Sequence, residues 1–303
     1  MKHRFLSVLL SSLIGMAAAP AAPSLRVAAT HPLIGDLARR VGEAHVEVVD
    51  LLRPGANLHQ FDPTSRDLSA LKGARLLLVS GKHLENYVDK LRDSLGSGAK
   101  IVEVGRLIPS IKIEPGQELF LCCPEHSHGG IDPHWWHSAE NMARAARLLA
   151  AEFAAADPGN ASAYKAAGAA TAKEMYALKA WAEREFARIP KSQRKLVTSH
   201  AAFSYFCKEF GFKSLPVLGV AAQDDASPKF LAEAIRIIRE HGIRAVFPED
   251  QANPKILHEI VRATGVKVSR RPLNADGTAG GAGSTFEGMF RHNVTTIVEA
   301  LAK

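Results

Sequence analysis

The chain reads as an α/β protein, two doubly wound α/β lobes joined by one long rigid helix, and three observations lead there. From Leu25 to Val104 short apolar runs alternate with helical stretches, and the same alternation returns from Lys195 to Leu301. Between the two, Asp157–Arg188 has helical composition and no strand character. Strand–helix alternation predicts parallel sheets covered by helices, because each parallel crossover needs a helix to carry the chain back.

The elements follow in order. Leu25–Thr30 is a short apolar run, Pro32–Val41 is helical, and Val46–Leu52 is β-branched and alternating. Asp67–Lys72 is a short helical piece, and Leu76–Val79, with four consecutive apolar residues, fits a strand buried on both faces. Leu84–Leu95 sets Leu84, Tyr87, Val88, Leu91 and Leu95 along one helical face, and Ile101–Val104 closes the set as a strand. In the second half, Lys195–Ser199 is a strand, Ala201–Phe210 a helix and Leu215–Val220 a strand. Ser227-Pro228 opens a helix through Glu240, with serine as cap and proline at the first helical position, and Gly242 ends it. Arg244–Phe247, Pro254–Thr264 and Val266–Ser269 continue as strand, helix and strand. Thr285–Leu301 is a final helix packing Phe286, Phe290, Val294, Ile297 and Leu301 along one face. In the middle, Asp157-Pro158 resembles a cap and first turn and Pro190 a stop. Roughly 30 helical residues span about 45 Å, a strut that resists hinge motion.

The chain has 303 residues, 47% hydrophobic and 23% charged, which excludes a disordered or collagenous protein. Three cysteines are too few for a disulfide framework and show no C-x-x-C spacing. The start resembles a secretory signal: Lys2 and Arg4, an uncharged run from Phe5 to Ala19, and an A-x-A site at Ala19-Pro20-Ala21. That run would span about 22 Å as a helix, short of the ~30 Å hydrocarbon core. No cysteine adjoins the cleavage region, which argues against a lipid anchor. The expected division is 1–22 signal peptide, 23–156 N-terminal α/β lobe, 157–190 linker helix and 191–303 C-terminal α/β lobe, in a soluble protein of the Gram-negative periplasm. Loss of Lys2 and Arg4 lowers the formal charge from +7 to +5. In an exported chain this is a solvated basic surface, with no nucleic acid as partner.

Four polar sites fall where strands end, the edge at which open α/β sheets bind ligands. They are Gly55–His59 with Phe61-Asp62-Pro63 behind it, Ile131–Trp136, Thr198–His200, and Asn274–Gly277. A histidine near a strand end is commonly a cap or surface residue, but three at comparable points of two similar halves, among thirteen histidines, suggest a metal. Three imidazoles and one carboxylate make a four-coordinate nitrogen and oxygen set. Pro133 stiffens the turn that presents His134, and Asp132 can orient an imidazole by hydrogen bonding to its far nitrogen. Trp135 and Trp136 read as cleft wall and core.

The segments Leu58–Pro63, Asp132–Trp136, Thr198–Phe203, Val246–Gln251 and Thr285–Asn293 resemble, in order and over the whole mature chain, the solute-binding proteins of zinc and manganese ABC transporters, the cluster A-I metal-binding proteins. The resemblance implies two α/β lobes on one long helix, the metal in the inter-lobe cleft, and modest lobe movement on binding. It makes His59, His134 and His200 metal ligands. Histidine at the third position resembles zinc-type members, where manganese-type members carry glutamate, and imidazole suits zinc better than manganese. The fourth ligand implied is Asp276, although the spacing to Thr285 departs from the family's, and Asp224 and Asp225 are rival carboxylates. Glu249 matches the family's acidic residue at a strand end and is expected to support a ligand histidine. The implied activity is capture of Zn2+ and its delivery to an ABC-transporter membrane permease, by a monomer that a metallochaperone can load.

Zinc-type members often carry a histidine-rich loop at the position of Cys122–Gly130. Here it is short, either a weak auxiliary zinc site from His126, His128 and Glu125, with His137 beyond it, or a solvated loop. A bridge from Cys122 or Cys123 to Cys207 is expected, with metal ligation by Cys122 and Cys123 the alternative. Three other functions stay open. They are a zinc-dependent hydrolase using the same histidines with Glu249 or Asp225 as base, a manganese-specific binding protein, and a surface adhesion role. Against the hydrolase, the chain has no H-E-x-x-H pair and no nucleophile elbow.

Overall fold

The computed structural model describes residues 24–112, 130–199, 201–215, 228–250 and 254–302. Strands β1 (Leu25–Ala29), β2 (Val46–Asp50), β3 (Leu76–Val79) and β4 (Lys100–Glu103) form one parallel sheet in the order β2-β1-β3-β4. Val27 pairs with Val48 on one side and Leu76 on the other, and Leu77 pairs with Ile101. Successive residues of a strand face opposite ways. Leu76 and Leu78 enter the main core, while Leu77 and Val79 join Ala28, Leu71, Tyr87 and Leu91 on the other face. That two-sided burial is why β3 needs an unbroken apolar run.

The second half repeats this order in shorter strands. β5 (Lys195–Leu196) pairs in parallel with β6 (Lys213–Ser214), and β7 (Ala245–Val246) with β8 (Lys267–Val268). A parallel bridge between Thr198 and Phe247, with Phe247 N–H donating to Val197 O at 2.9 Å, joins β5 to β7. The order β6-β5-β7-β8 therefore mirrors β2-β1-β3-β4. The described part of this strand is β6, just before the expected Leu215–Val220, of which residues 216–220 lie outside the described residues.

Helices α1 (Pro32–Gly42), α2 (Ser65–Ala70) and α3 (Val88–Arg92) belong to the first half. The helix expected over Leu84–Leu95 is thus cut to its middle. Gly81, Lys82 and His83 take φ of +80°, +56° and +63°, turning the chain before a helix can start. Lys82 Nζ donates to Ile108 O and Ser110 Oγ at 2.8 Å, and Glu85 accepts from Ser80 N–H and Gly81 N–H, so the tight turn is held by side chains. Leu84, Tyr87 and Leu91 are nonetheless buried, as their spacing requires.

The helix at Asp157–Arg188 is α5 (Ala161–Phe186), 26 residues, preceded by a 3-10 turn at Pro158–Asn160. Asp157 sits before the turn and accepts from Tyr164 Oη at 2.7 Å and Asn160 Nδ2 at 2.8 Å. This helix is more than a strut. It folds back along α4 (Ala139–Ala156), a helix absent from the sequence reading, as an antiparallel hairpin. Pairs Glu140–Lys179 and Arg147–Tyr176 mark the antiparallel register. Gly168 lets the helices touch: a Cβ there would lie 2.5 Å from Ala150 Cβ and 3.2 Å from Ala146 O.

Helices α6 (Ser204–Phe210), α7 (Pro228–Glu240), α8 (Pro254–Thr264) and α9 (Phe286–Leu301) complete the chain. One hydrophobic cluster runs through both halves, from Val27 and Leu33 through Trp135 and Trp136 to Phe206, Phe247 and Phe290. Cys207 lies in it as a free, buried thiol whose pKa burial pushes up to about 12. The expected bridge to Cys207 is therefore corrected: Cys207 is a free thiol within this packed cluster, and Cys122 and Cys123 lie outside the described residues. No helix among the described residues is long and apolar enough to cross a membrane. Because the α4–α5 contact has no room for a larger residue, Gly168→Val should destabilise the protein by about 1–3 kcal/mol, read as a lower urea midpoint with an unchanged m-value.

Candidate metal centre

The candidate residues are carried by turns at the C-terminal ends of strands in both sheets. After β2, Asn57 Oδ1 accepts from His59 N–H at 2.9 Å and caps a 3-10 turn at Leu58–Gln60. Leu58 is wholly buried and anchors that turn, so the His59 side chain is fixed, only 7% exposed. In the second motif, Asp132 Oδ1 accepts from both the backbone N–H and ring Nδ1 of His134, each at 2.8 Å. The carboxylate keeps the proton on Nδ1 and leaves the Nε2 lone pair for a cation. The orienting role expected of Asp132 is thus present in the geometry. His134 stands 5.2 Å from the His59 ring and 5.2 Å from that of Trp136.

Asp276 comes from the other half, in a loop built on Asn274. The Asn274 backbone exchanges hydrogen bonds with the Asn293 side chain at 2.9 and 2.8 Å, and its own amide accepts from Gly277 N–H at 2.8 Å. Gly277 has φ +68°, and a Cβ there would meet Leu33 Cγ at 2.5 Å, so the loop presses against the start of α1. Trp136 Nε1–H donates to Ala275 O at 2.9 Å across the two halves.

Together these turns bring His59, His134 and Asp276 within 4.8 Å of one another, counted between one potential ligand atom of each. His59 Nε2 lies 3.7 Å from Asp276 Oδ1. Tetrahedral zinc with bonds near 2.05 Å sets its ligand atoms about 3.4 Å apart, so a small inward adjustment completes the geometry. His200, the rivals Asp224 and Asp225, and the loop residues Glu125, His126 and His128 lie outside the described residues. Glu249 is buried at 6% exposure just beyond β7, its backbone bridged to Leu273. His137, beyond that loop, is buried beside Phe203, ring centroids 4.3 Å apart.

Sequence reasoning missed His31. It closes the first turn of α1, its Nδ1 accepting from Leu33 N–H at 3.1 Å, and its ring lies edge-on to Trp136 at 4.3 Å. Burial lowers its pKa to about 3; Asp276 opposes this, while His59 and His137 add to it. The available signal was Thr30-His31-Pro32, a strand end followed by a proline-led helix, where the intervening residue is the cap. The interlocked Asn274 and Asn293, nineteen positions apart, gave no local signal.

The fold and site define a class: an α/β protein of two similar halves with convergent imidazole and carboxylate donors between them. Residues 27–300 match the family described as zinc-uptake complex component A, periplasmic. The chain is 31% identical to the manganese-binding lipoprotein MntA of Bacillus subtilis over 283 residues, 91% of this chain and 90% of that protein. It is 29% identical to the iron-binding protein YfeA of Yersinia pestis, over 99% of this chain and 95% of the relative. The solved structure of the periplasmic zinc-binding protein TroA from Treponema pallidum superimposes with a TM-score of 0.80 at 26% identity, covering 93% of this chain and all of TroA. The chain belongs to this family of metal-binding ABC-transporter solute-binding proteins.

Folded His31 stays neutral to about pH 3, whereas an imidazole in the unfolded chain protonates near pH ~6.5. The unfolded state then binds the extra proton, so this contribution is complete above ~6.5 and is lost as pH falls toward 3. Urea unfolding of metal-free protein between about pH 7 and 5 should show that loss, and His31→Asn should flatten the slope.

Proposed function

We propose that the protein captures Zn2+ in the periplasm and delivers it to an ABC-type membrane permease, with His59, His134, His200 and Asp276 as the ligands. The observation that carries this reading is the convergence of His59, His134 and Asp276 from two halves of the chain into one 4.8 Å cluster. Relatives are named for manganese, iron and zinc, so kinship alone does not choose the ion. What supports zinc is the proposed donor set: two described imidazoles, with His200 as the proposed third, suit zinc, while manganese favours an oxygen-rich set. Zinc here is cargo, and we assign no catalysis. Four protein ligands leave no open position for the activated water that a hydrolase needs.

In this reading residues 1–22 are a cleaved export signal. Residues 23–156 and 191–303 are the lobes, 157–190 the connecting helix, and the working unit is a monomer. The repeated strand order of the two sheets supports that division.

Competition titration of metal-free protein against a chromophoric chelator tests the assignment. Zinc should bind more tightly than manganese; the reverse order defeats the zinc reading. Asp276→Ala should weaken zinc binding by about 100-fold or more, and Asp132→Asn, which leaves the ligands in place, by about 10–100-fold. An unchanged Asp276→Ala variant would move the fourth ligand to Asp224 or Asp225. Ligation needs neutral imidazoles, so protons compete with the metal and affinity should fall on acidification. Equal affinity at pH 7.5 and 5.5 would refute the histidine site. Zinc at about 1,000 times its Kd should add roughly 4 kcal/mol of stability, seen as a raised Tm.

A further inference from the structure

His31 is buried at 1% exposure, and the ligand set proposed above gives it no task. Its Nδ1 is committed, because it accepts the Leu33 backbone N–H at 3.1 Å. In the neutral ring the proton must then sit on Nε2, which makes that nitrogen a donor and removes it as a metal ligand. Among the described residues Nε2 has no hydrogen-bond partner. A buried N–H without an acceptor is costly, and an acceptor arriving at Nε2 would remove that cost.

The acceptor at hand is Asp276. Trp136, whose ring packs 4.3 Å from that of His31, donates to the carbonyl of Ala275 at 2.9 Å. Gly277 lies so close to Leu33 that a Cβ would stand 2.5 Å from its Cγ. The residues flanking Asp276 are thus gripped by the residues flanking and facing His31. Asp276 is also the one carboxylate among the charges that act on the His31 ring.

We propose that His31 is a positioning residue for Asp276: with metal bound, its Nε2–H donates to the carboxylate oxygen that does not touch the metal. This rests on Asp276 being a ligand. A carboxylate held this way binds through a single oxygen. That suits four-coordinate zinc and disfavours cations such as manganese, which gain from a second oxygen. A neutral donor does this without placing a positive charge beside the cation.

The cap and donor roles separate by substitution, since asparagine carries an acceptor near the Nδ1 position and glutamine an amide N–H near the Nε2 position. Metal-free wild type, His31→Asn, His31→Gln and Asp276→Ala are compared by thermal melting and by zinc and manganese competition titration. Absorption of bound Co(II) reports four-coordinate against higher-coordinate geometry. His31→Asn, a good cap, should keep the metal-free Tm. It should lose about 10–100-fold in zinc affinity, lose less for manganese, and shift Co(II) toward higher coordination. His31→Gln should melt lower but recover zinc affinity and the four-coordinate spectrum. Wild-type zinc affinity and spectrum in His31→Asn, alongside weakened binding in Asp276→Ala, would overturn the proposal and leave the ligand set intact. An Asp276→Ala variant that binds normally overturns both.

Discussion

The Trp136 indole N–H bonded to the Ala275 carbonyl at 2.9 Å joins the two halves of the candidate metal centre. Trp136 follows His134 by two positions and Ala275 directly precedes Asp276, so one contact sets the spacing between donors that are 142 positions apart. The indole is wholly buried, where a hydrogen bond has no water with which to exchange. Its ring also lies against His31 at 4.3 Å and His134 at 5.2 Å. A single rigid side chain therefore packs against two imidazoles and locates the loop that carries Asp276.

That bond is one of a belt. Tyr205 Oη accepts from Ile111 N–H at 3.1 Å and donates to Asp132 O at 3.2 Å. Phe286 N–H donates to Asp36 at 2.9 Å, and Gly55 N–H to Thr278 O at 2.8 Å. Glu209 accepts from the first two backbone N–H groups of α4. Beneath the belt, the shared hydrophobic cluster crosses from one sheet to the other, and α5 packs on α4, α1 and α9. Opening the cleft widely would expose part of that cluster, so large domain closure is an expensive motion for this chain. The candidate cluster is already drawn within 4.8 Å, which would reduce the ordering that binding a metal must impose.

What the sequence made legible follows from where the information is local. Strand β3 announced itself by four apolar residues, and the His59 and His134 turns by histidine beside Asn, Asp and Pro at strand ends. Helix α4 stayed hidden because nine of its 18 residues are alanine, which gives little contrast between faces. The helix begun too early at Leu84 shows the opposite error. Its apolar spacing was right, but long-range partners of Lys82 and Glu85 hold a turn where local periodicity favoured a helix. His31 escaped for a third reason. Its cap role is local, but its neighbourhood with Asp276 exists only after two distant segments pack together.

The distribution of donors also bears on how a cargo protein lets go. In the proposed set His59 and His134 belong to the first half, and Asp276 and His200 to the second. A rigid site binds tightly because its donors need little rearrangement, and for the same reason it tolerates little displacement. Metal–ligand bonds near 2.0–2.2 Å lose their geometry when one pair of donors shifts by about 1 Å. In that set, a small separation along the belt that Trp136 closes would break the coordination without unfolding the shared core. A partner that engages both halves at once can supply that separation. A partner that touches one half alone moves all of its donors together with the surface it holds, and leaves the cluster intact unless the other half stays behind.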